Sequence, residues 1–399
     1  MRPKTPPRWI WQQPAWHRFT WDATALAGLL RDCQQVQGQL LGMAGAAAND
    51  LQTEDALDTL LSNIVNSSAI EGERLDVGSV RSSLARRLGM AEPAPRRSSA
   101  HAEALAELML DATRHADAPL DLPRLLQWHR WLFAADDALL PSRIRIRIGA
   151  LRGSEPMQVV SGRIDRPTVH FEAPPRARLE AQLDDFLAWF AASRHDDSLD
   201  PLLRAGIAHF WFVTLHPFDD GNGRLTRALT DLALAQAQPQ AIRFHAMSAS
   251  ILADRAGYYR VLEATQKAGP DISAWLHWFL TTLHHSLVDA LQRIDRVLAK
   301  ARFWQIHREQ ALSAEQVKVL NRLLDGGEQG FAHGLTARHY QAVAKVSKAT
   351  ATRHLADLLE KGCLRRLPGG GRSTRYEINA PAAAIPLPAR PRPMENPGT

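Results

Sequence analysis

The run HPFDDGNGRLTR, from His216 to Arg227, decides how this 399-residue chain is interpreted. Apolar segments with helical spacing lie on either side of it, from Ala205 to Leu215 and from Leu225 to Ala237. The run therefore predicts a helix, a short glycine-rich loop and a second helix. Such a loop turns several backbone N–H groups toward one point at a helix N-terminus, which is a geometry suited to binding a phosphate.

Four side chains of the run complete this predicted phosphate site. Arg224 and Arg227 carry guanidinium groups, which hold phosphate oxygens in bidentate geometry. Asp220 is suited to a Mg²⁺ ion that bridges the same phosphates. His216, at the mouth of the loop, belongs to the residue type best suited to moving a proton near neutral pH. The run thus indicates a nucleotide-phosphate site with its own base; the alternative is a helix-capping loop with an incidental histidine.

The same run resembles the signature of the Fic family, HPFx(D/E)GNGRxxR, at every fixed position. The resemblance implies a mainly α-helical, Fic-type core that transfers AMP from ATP to a Tyr, Thr or Ser hydroxyl of a target protein and of itself. It implies His216 as the base that deprotonates this hydroxyl and Asp220 as the Mg²⁺ ligand. It also implies an anion hole formed by Asn222 with the amides of Gly221 and Gly223.

The resemblance extends to the distal phosphates. Arg224 and Arg227 would hold the β- and γ-phosphates of ATP. A family member that phosphorylates its target carries Lys at the position of Gly223, so the glycine of this chain favours nucleotidyl transfer.

Three further residues lie where Fic sequences place the lining of the adenine pocket. Tyr258 and Tyr259 are the first two, and packing in the core is the alternative for both. Gln266 is the third. The family often has Asn at that position, so the role of the longer amide stays open.

A β-hairpin is predicted inside the otherwise helical pattern. The segment MQVVSGRIDRPTVHF, residues 157–171, is typical of two short strands around a polar turn. In Fic proteins a hairpin flap lies beside the active site and pairs with the backbone of the target. The resemblance implies that Gln158, Val159 and Val160 contact the target in this way, whereas an ordinary surface hairpin is the alternative.

A second motif, SSAIEG at residues 67–72, is similar to the Fic-family inhibitory pattern (S/T)xxxE(G/N), which begins here at Ser67. Gly72 is suited to end a helix. The resemblance implies that Glu71 pairs with Arg227, so that the guanidinium no longer holds the γ-phosphate and ATP binds misaligned. Misalignment of about an ångström costs on the order of a hundredfold in rate. A solvated Glu is the alternative, and removal of AMP by a water that Glu71 positions also stays open.

The pattern along the chain predicts four segments. These are an N-terminal helical region (1–115), a Fic core (116–304), a winged helix–turn–helix (313–379) and a disordered Pro/Ala-rich tail (380–399). The first segment begins with four tryptophans, Trp9, Trp11, Trp16 and Trp21. We interpret them as packing the N-terminus onto the body of the protein, and a ligand-stacking site is the alternative.

The C-terminal segment carries the excess positive charge of the chain. Residues 313–399 contain 13 Lys and Arg against 7 Asp and Glu, and the whole chain has a net charge of +6. Three predicted helices and a basic hairpin are typical of a winged helix that binds DNA, with protein contacts as the alternative. The predicted DNA contacts are Lys348, Thr350, Thr352 and Arg353 on the third helix, with Arg372 and Arg375 on the wing.

Composition limits the remaining classes of protein. The sequence contains no stretch of about eighteen apolar residues, so it predicts no membrane span. Cys33 and Cys363 lie too far apart in the chain to suggest a disulfide or a cysteine zinc site. We therefore expect a cytoplasmic protein without a membrane partner, and a homodimer stays open. The competing function is a DNA-binding regulator that senses ATP. The intact His216 favours the enzyme, because a sensor needs no base.

Overall fold

The computed structural model describes residues 8–45, 49–90, 97–134, 146–163, 166–238, 246–326, 334–368 and 374–379. These residues fall into two compact units. The first comprises residues 8–42 and 52–290, and the second comprises residues 291–379 with the stretch 43–51. The chain is mainly helical, as predicted, and each unit is described by itself.

The first unit is built from helices and one hairpin. Its helices are α1 (Ala23–Gly45), α2 (Asn49–Ile70), α3 (Val77–Arg87), α4 (Ala100–Arg114), α5 (Leu122–Leu132), α6 (Arg176–Ala192), α7 (Pro201–Leu215), α8 (Asn222–Ala237), α9 (Met247–Ala253), α10 (Arg255–Gln266) and the start of α11 (Ser273–Ile306). Helix α7 forms the centre, because every residue from Leu202 to Leu215 is buried. A helix that is buried on all sides is a core element, and α7 packs against α8, which in turn packs against α4.

Side-chain caps fix where α5 and α7 begin. Asp121 accepts a hydrogen bond from the backbone N–H of Arg124, and Asp200 accepts one from that of Leu202. Both helices also carry proline in the first turn, where its missing N–H costs nothing. Each cap contributes about 1 kcal/mol, so the position of the central helix is set by its own sequence.

The predicted hairpin consists of β1 (Gln158–Arg163) and β2 (Arg166–Glu172), which pair antiparallel. The register shifts between Val159 and Val160. Such a bulge bends the strand and leaves part of the ladder unpaired. Residues 164–165 of the predicted flap lie outside the described residues.

The tryptophan-rich start packs onto the first unit. Trp9, Trp11 and Trp16 expose 3%, 7% and 3% of their surface. The Trp11 indole N–H donates to the carbonyl of Glu172 at 2.6 Å, and the Trp9 ring lies 5.5 Å from that of Phe171. The packing interpretation is confirmed for these three tryptophans. Trp9 and Trp11 also contact strand β2, and the sequence did not predict these contacts.

The second unit contains the end of α11, three short helices and a two-stranded hairpin. The helices are α12 (Ala314–Leu324), α13 (Ala337–Ala344) and α14 (Lys348–Glu360), and the strands are β3 (Leu364–Arg366) and β4 (Tyr376–Ile378). Buried Phe303, Leu320, Tyr340 and Leu355 belong to its core. The elements follow the predicted order, while the winged-helix assignment stays a prediction. The predicted tail, residues 380–399, lies outside the described residues.

Within the described ranges, no helix has the length and apolar character needed to span a lipid bilayer.

Both cysteines, Cys33 and Cys363, are buried free thiols. This agrees with the prediction that the chain has no disulfide.

We expect Trp16→Ala to lower the free energy of unfolding of the first unit by about 3 kcal/mol, because it empties a buried aromatic site. The Trp16 ring contacts the rings of Phe19 and Trp211 at centroid distances of 5.8 and 6.2 Å. Urea unfolding followed by circular dichroism measures the loss. Val77→Ala is the control, since Val77 is 49% exposed and should change the value by less than about 0.5 kcal/mol. Equal stability of the two variants would contradict the packing role.

Candidate functional site

The loop between α7 and α8 is shaped by two residues in the left-handed conformation. His216 ends α7 with φ 50° and ψ 59°, and Gly221 precedes α8 with φ 79°. A left-handed backbone conformation is uncommon at residues other than glycine, and the examples that exist are concentrated at functional sites. At Gly221 a Cβ atom would overlap Leu132 and Phe133, so the loop also requires glycine there on steric grounds.

The side chain of Asn222 holds this loop closed. Its Oδ1 accepts from the backbone N–H of Phe218, and its Nδ2 donates to the carbonyl of the same residue, both at 2.9 Å. Asn222 is 2% exposed. Because the side-chain amide is committed to the loop, an anion at this site would meet backbone N–H groups rather than the amide.

The N-terminus of α8 offers such N–H groups. Its N-cap residue is Gly221, which has no side chain to take up the donors of the first turn. A helix N-terminus carries a partial positive charge, so it favours an anion. The predicted anion site therefore has a structural basis in the backbone from Asn222 to Arg224.

Asp220 lies exposed beside this helix start, and its Oδ1 accepts from the Gly221 N–H at 2.6 Å. The neighbouring Asp219 is instead paired with Arg147 at 3.0 Å. In the part of the chain that the structure describes, no group of three or more His, Cys, Asp or Glu could hold a metal ion. One carboxylate nevertheless fits Mg²⁺, which commonly takes one or two carboxylates and completes its shell with phosphate oxygens and waters.

His216 has the hydrogen bonding of a neutral base. Its Nδ1 lies 3.2 Å from the carbonyl oxygen of Val213. Because a carbonyl only accepts, Nδ1 carries the proton and Nε2 keeps its lone pair. Burial lowers the pKa of His216 to about 4, and the charge of the nearby Arg152 also lowers it. The hydrogen bond to the Val213 carbonyl raises the pKa and offsets part of this effect. The imidazole is therefore neutral at pH 7.

Arg227 is buried and held by the 67–72 motif. It is 2% exposed, and its Nη2 donates to Glu71 Oε1 at 2.8 Å. Its Nε donates to the Ser67 hydroxyl and its Nη2 to the Ser67 carbonyl, both at 2.9 Å. The ion pair that the resemblance implies is thus present, and Ser67 contributes two further acceptors.

The carboxylate of Glu71 lies directly over the start of α8. A Cβ atom at Gly223 would clash with Glu71 Oε1. The hydroxyl of Tyr259 donates to Glu71 Oε2 at 3.5 Å. Gly72, with φ 85°, follows as the turn after α2. Glu71 therefore occupies the side of the loop toward which the N-terminus of α8 points.

A second ion pair, which the sequence did not predict, holds the other motif arginine. Arg224 Nη1 lies 2.8 Å from Glu73 Oε2, and the Arg224 guanidinium lies 5.2 Å from the ring centre of Phe133. Glu73 Oε1 lies 2.9 Å from His101 Nε2. The hydrogen bond from His101 and the charge of Arg224 lower the pKa of Glu73 to about 2. The available sequence signal was a carboxylate two positions after Glu71.

Glu71, the hairpin and the loop between α7 and α8 border a cleft of about 680 Å³. That volume lies within the range of small-molecule sites. The predicted residues that line it are Glu71, Gln158, Val159, Val160, His216, Asp220, Gly221, Asn222, Gly223, Tyr258, Tyr259 and Gln266. Arg224 and Arg227 are absent from this lining among the described residues. The fold thus brings the predicted base, loop and flap together and leaves both arginines behind Glu71 and Glu73.

The two tyrosines and Gln266 differ in their surroundings. Tyr258 is 2% exposed, and its hydroxyl lies 3.0 Å from Nε2 of the buried His209. Gln266 donates to the Thr214 hydroxyl at 3.1 Å. Tyr259 is 37% exposed. Both interpretations therefore apply to Tyr258, which packs in the core and lines the cleft, whereas Tyr259 faces the cleft.

The hairpin is tied to α10 at the edge of the cleft. Nδ1 of His170, on β2, lies 2.9 Å from Glu263 Oε2 on α10. Val160 is 51% exposed. Among the described residues β1 pairs with β2 alone, so its other edge has no strand partner there. Contact of Gln158 and Val159 with a target stays a prediction.

The predicted DNA-contacting residues of α14 lie near its start. Lys348, Thr352 and Arg353 are exposed, and the Thr350 hydroxyl lies 3.0 Å from that of Ser347 at the helix N-cap. On the hairpin, Arg375 is exposed, whereas Arg372 lies outside the described residues. DNA binding stays a prediction.

Helices α7 and α8 and the loop between them lie in a segment that is similar to a known protein family. Residues 119–234 match the model of the Fic/DOC family, and residues 9–90 match a model described as a domain of unknown function, DUF4172. The chain therefore contains a Fic/DOC-family domain.

Two curated relatives are similar to this chain over part of their length. One is the protein adenylyltransferase Fic of Nematostella vectensis, which is 33% identical over 122 residues, or 30% of this chain and 26% of that protein. The other is the protein adenylyltransferase fic-1 of Caenorhabditis elegans, which is 30% identical over 202 residues, or 47% of this chain and 35% of that protein. The chain thus matches between a quarter and about a third of these relatives.

One solved structure is similar over most of the chain. It is a Fic family protein from Desulfovibrio desulfuricans G20, with a TM-score of 0.50 and 20% sequence identity. The match covers 89% of this chain and 95% of that chain. At this identity the similarity concerns the fold alone.

Proposed function

We propose that this chain is a protein adenylyltransferase, which transfers AMP from ATP to a Tyr, Thr or Ser hydroxyl of a target protein and of itself. The observation that carries the proposal is a neutral His216, whose Nε2 has no hydrogen-bond partner among the described residues, at a cleft that the α7–α8 loop and the hairpin also line. The names of the two relatives support the same activity. A nucleotide sensor would use the phosphate loop but would have no need of this base.

The reaction that fits the site is an in-line displacement at the α-phosphorus of ATP. The target hydroxyl oxygen forms the new P–O bond, its proton passes to Nε2 of His216, and pyrophosphate leaves. Such transfers depend mainly on positioning and on stabilisation of charge. The backbone N–H groups at the start of α8 supply that stabilisation. A Mg²⁺ ion, held at Asp220, would neutralise phosphate charge when bound.

The target would be presented by the flap. Strand β1 has an open edge, and β-strand addition supplies backbone hydrogen bonds that do not depend on the sequence of the partner. The target hydroxyl would then enter the cleft between Val160 and His216, which both line it. Because the backbone makes the contact, this arrangement selects a residue in an extended or flexible segment of the target.

The resting state would be restrained by Glu71. Its carboxylate holds Arg227 and lies over Gly223, so it occupies the region where the distal phosphates would bind. Two like-charged groups cannot share this site at low cost. ATP would therefore bind with its α-phosphate displaced from the line of attack.

We expect Glu71→Gly to raise incorporation of label from [α-³²P]ATP by about tenfold to a hundredfold, since it removes the group that misaligns the phosphates. Autoradiography of the full chain, with and without cell lysate, measures the change. The control is Glu54→Ala, which alters an exposed carboxylate on α2. Labelling no greater than in the wild type would exclude restraint by Glu71.

We expect His216→Ala, combined with Glu71→Gly, to abolish AMP transfer while ATP still binds, because the loop and the arginines remain. The pKa of His216 is about 4 with Glu71 present, and loss of the Glu71 charge lowers it further. In the Glu71→Gly single variant the rate should therefore stay level from pH 8 to about pH 5 and should fall only at lower pH, where the base becomes protonated. Initial rates of labelling and calorimetric ATP binding test this. The control, His115→Ala, changes an exposed histidine. Retained transfer would remove His216 from this role.

We also propose that the second unit binds DNA through α14, on which Lys348 and Arg353 are both exposed. We expect Arg353→Ala to weaken binding of duplex DNA and to reduce the slope of log K against log salt by about one, as for one lost phosphate contact. Gel shifts at several salt concentrations measure the slope. The control, Lys318→Ala, removes a charge from α12. An absent gel shift at low salt would favour protein contacts instead.

A further inference from the structure

The geometry of Arg224 separates it from the cleft. Its side chain is 12% exposed and pairs with Glu73 at 2.8 Å. Gly223, the preceding residue, lines the cleft, whereas Arg224 lines a small cavity beneath the loop together with Ser67 and Arg227. Arg224 must therefore change its partner before it can reach a phosphate in the cleft.

Glu73 is firmly anchored where it holds Arg224. Its two carboxylate oxygens have different partners, Arg224 for Oε2 and His101 for Oε1. Its backbone N–H donates to the carbonyl of Ser68 at 3.0 Å, and this ties the turn to the end of α2. A carboxylate with two charge-assisted partners and a fixed backbone loses little entropy in keeping both contacts.

We infer that Glu73 is a positioning residue that withholds Arg224 from the phosphates of ATP, so that the resting site is restrained at both motif arginines. This inference rests on the proposed function, because it concerns the regulation of the same nucleotide site. The contact differs from that of Glu71, because Glu73 pairs with Arg224 instead of Arg227 and is itself bound by His101. One consequence is that loss of Glu71 alone removes the carboxylate partner of Arg227, which Ser67 still holds, and leaves Arg224 paired with Glu73.

The two carboxylates lie on one turn. Glu71 and Glu73 flank Gly72, and the backbone N–H groups of both donate to the carbonyl of Ser68, at 3.1 and 3.0 Å. A movement of this turn away from α8 would therefore separate Glu71 from Arg227 and Glu73 from Arg224 together. The wild-type protein would switch between two states of the turn, whereas each single variant removes one carboxylate.

The test compares the affinities of ATP and AMP for the full chain carrying Glu73→Gln. AMP lacks the β- and γ-phosphates, so it reports any general change of the cleft. We expect the dissociation constant of Mg·ATP to fall about tenfold, the effect of one added hydrogen bond between charged groups. That of AMP should stay within a factor of about two. Isothermal titration calorimetry measures both.

One control and one further variant accompany this measurement. Glu180→Gln changes another carboxylate that is paired with an arginine, Arg176, on the exposed face of α6. It should leave both affinities unchanged. Glu73→Gln keeps the size of the side chain, and Glu73→Ala serves as a second variant with the same expected split between ATP and AMP should the first fail to fold.

The kinetic arm adds Glu73→Gln to Glu71→Gly. We expect the double variant to incorporate AMP several-fold faster than Glu71→Gly alone. ATP affinity that is unchanged or weaker in Glu73→Gln would overturn the inference, because Glu73 would then hold Arg224 ready for phosphate rather than away from it. Absence of labelling in every variant would contradict the transferase, while the comparison of ATP with AMP would still decide the role of Glu73.

Discussion

The buried guanidinium of Arg227 is the constraint on which the site depends. Removal of the partner of a buried charge costs about 3–5 kcal/mol, so a side chain that is 2% exposed needs an anion beside it. Asp231 cannot fully supply it, because burial raises the pKa of that carboxyl to about 7 although Arg227 opposes the rise. The anion is therefore Glu71 at rest and, in the proposed reaction, a phosphate. In the proposed function, restraint and nucleotide binding would both follow from the same buried charge.

The fold keeps this charge in place by holding the loop rigid. Helix α7 is buried along its length and ends at His216, whose left-handed backbone turns the chain toward Gly221. Asn222 then ties the loop to Phe218 with both ends of its amide. The Arg152 side chain donates to the carbonyl of His216 at 2.8 Å. These contacts and the hydrogen bond at Nδ1 of His216 fix the shape of the turn, while Nε2 of the imidazole and the N-terminus of α8 face the chemistry that we propose.

The sequence predicted the arrangement of residues within one motif. It did not predict the side-chain contacts between segments that lie far apart in the chain. His216 and the loop glycines are twelve residues or fewer apart, and their spacing determines their geometry in a helix–loop–helix. The pair of Arg224 and Glu73 spans 151 positions, and the contact of Trp11 with Glu172 spans 161. No local pattern specifies such pairs, because they result from the packing of whole helices. The Glu71 pair, at 156 positions, was expected only through the resemblance.

The N-terminal region combines support with restraint. Residues 9–90, the DUF4172 match, include Trp11, which braces strand β2, as well as Glu71 and Glu73, which hold the arginines. The flap that would present the target and the groups that would block the nucleotide thus belong to one continuous segment of chain. A simple inhibitory appendage could be discarded without loss. This segment cannot be removed in that way, because Trp9 and Trp11 contact strand β2 beside the cleft. Relief of the proposed restraint would therefore act on the turn at Gly72 while these aromatic contacts stay in place.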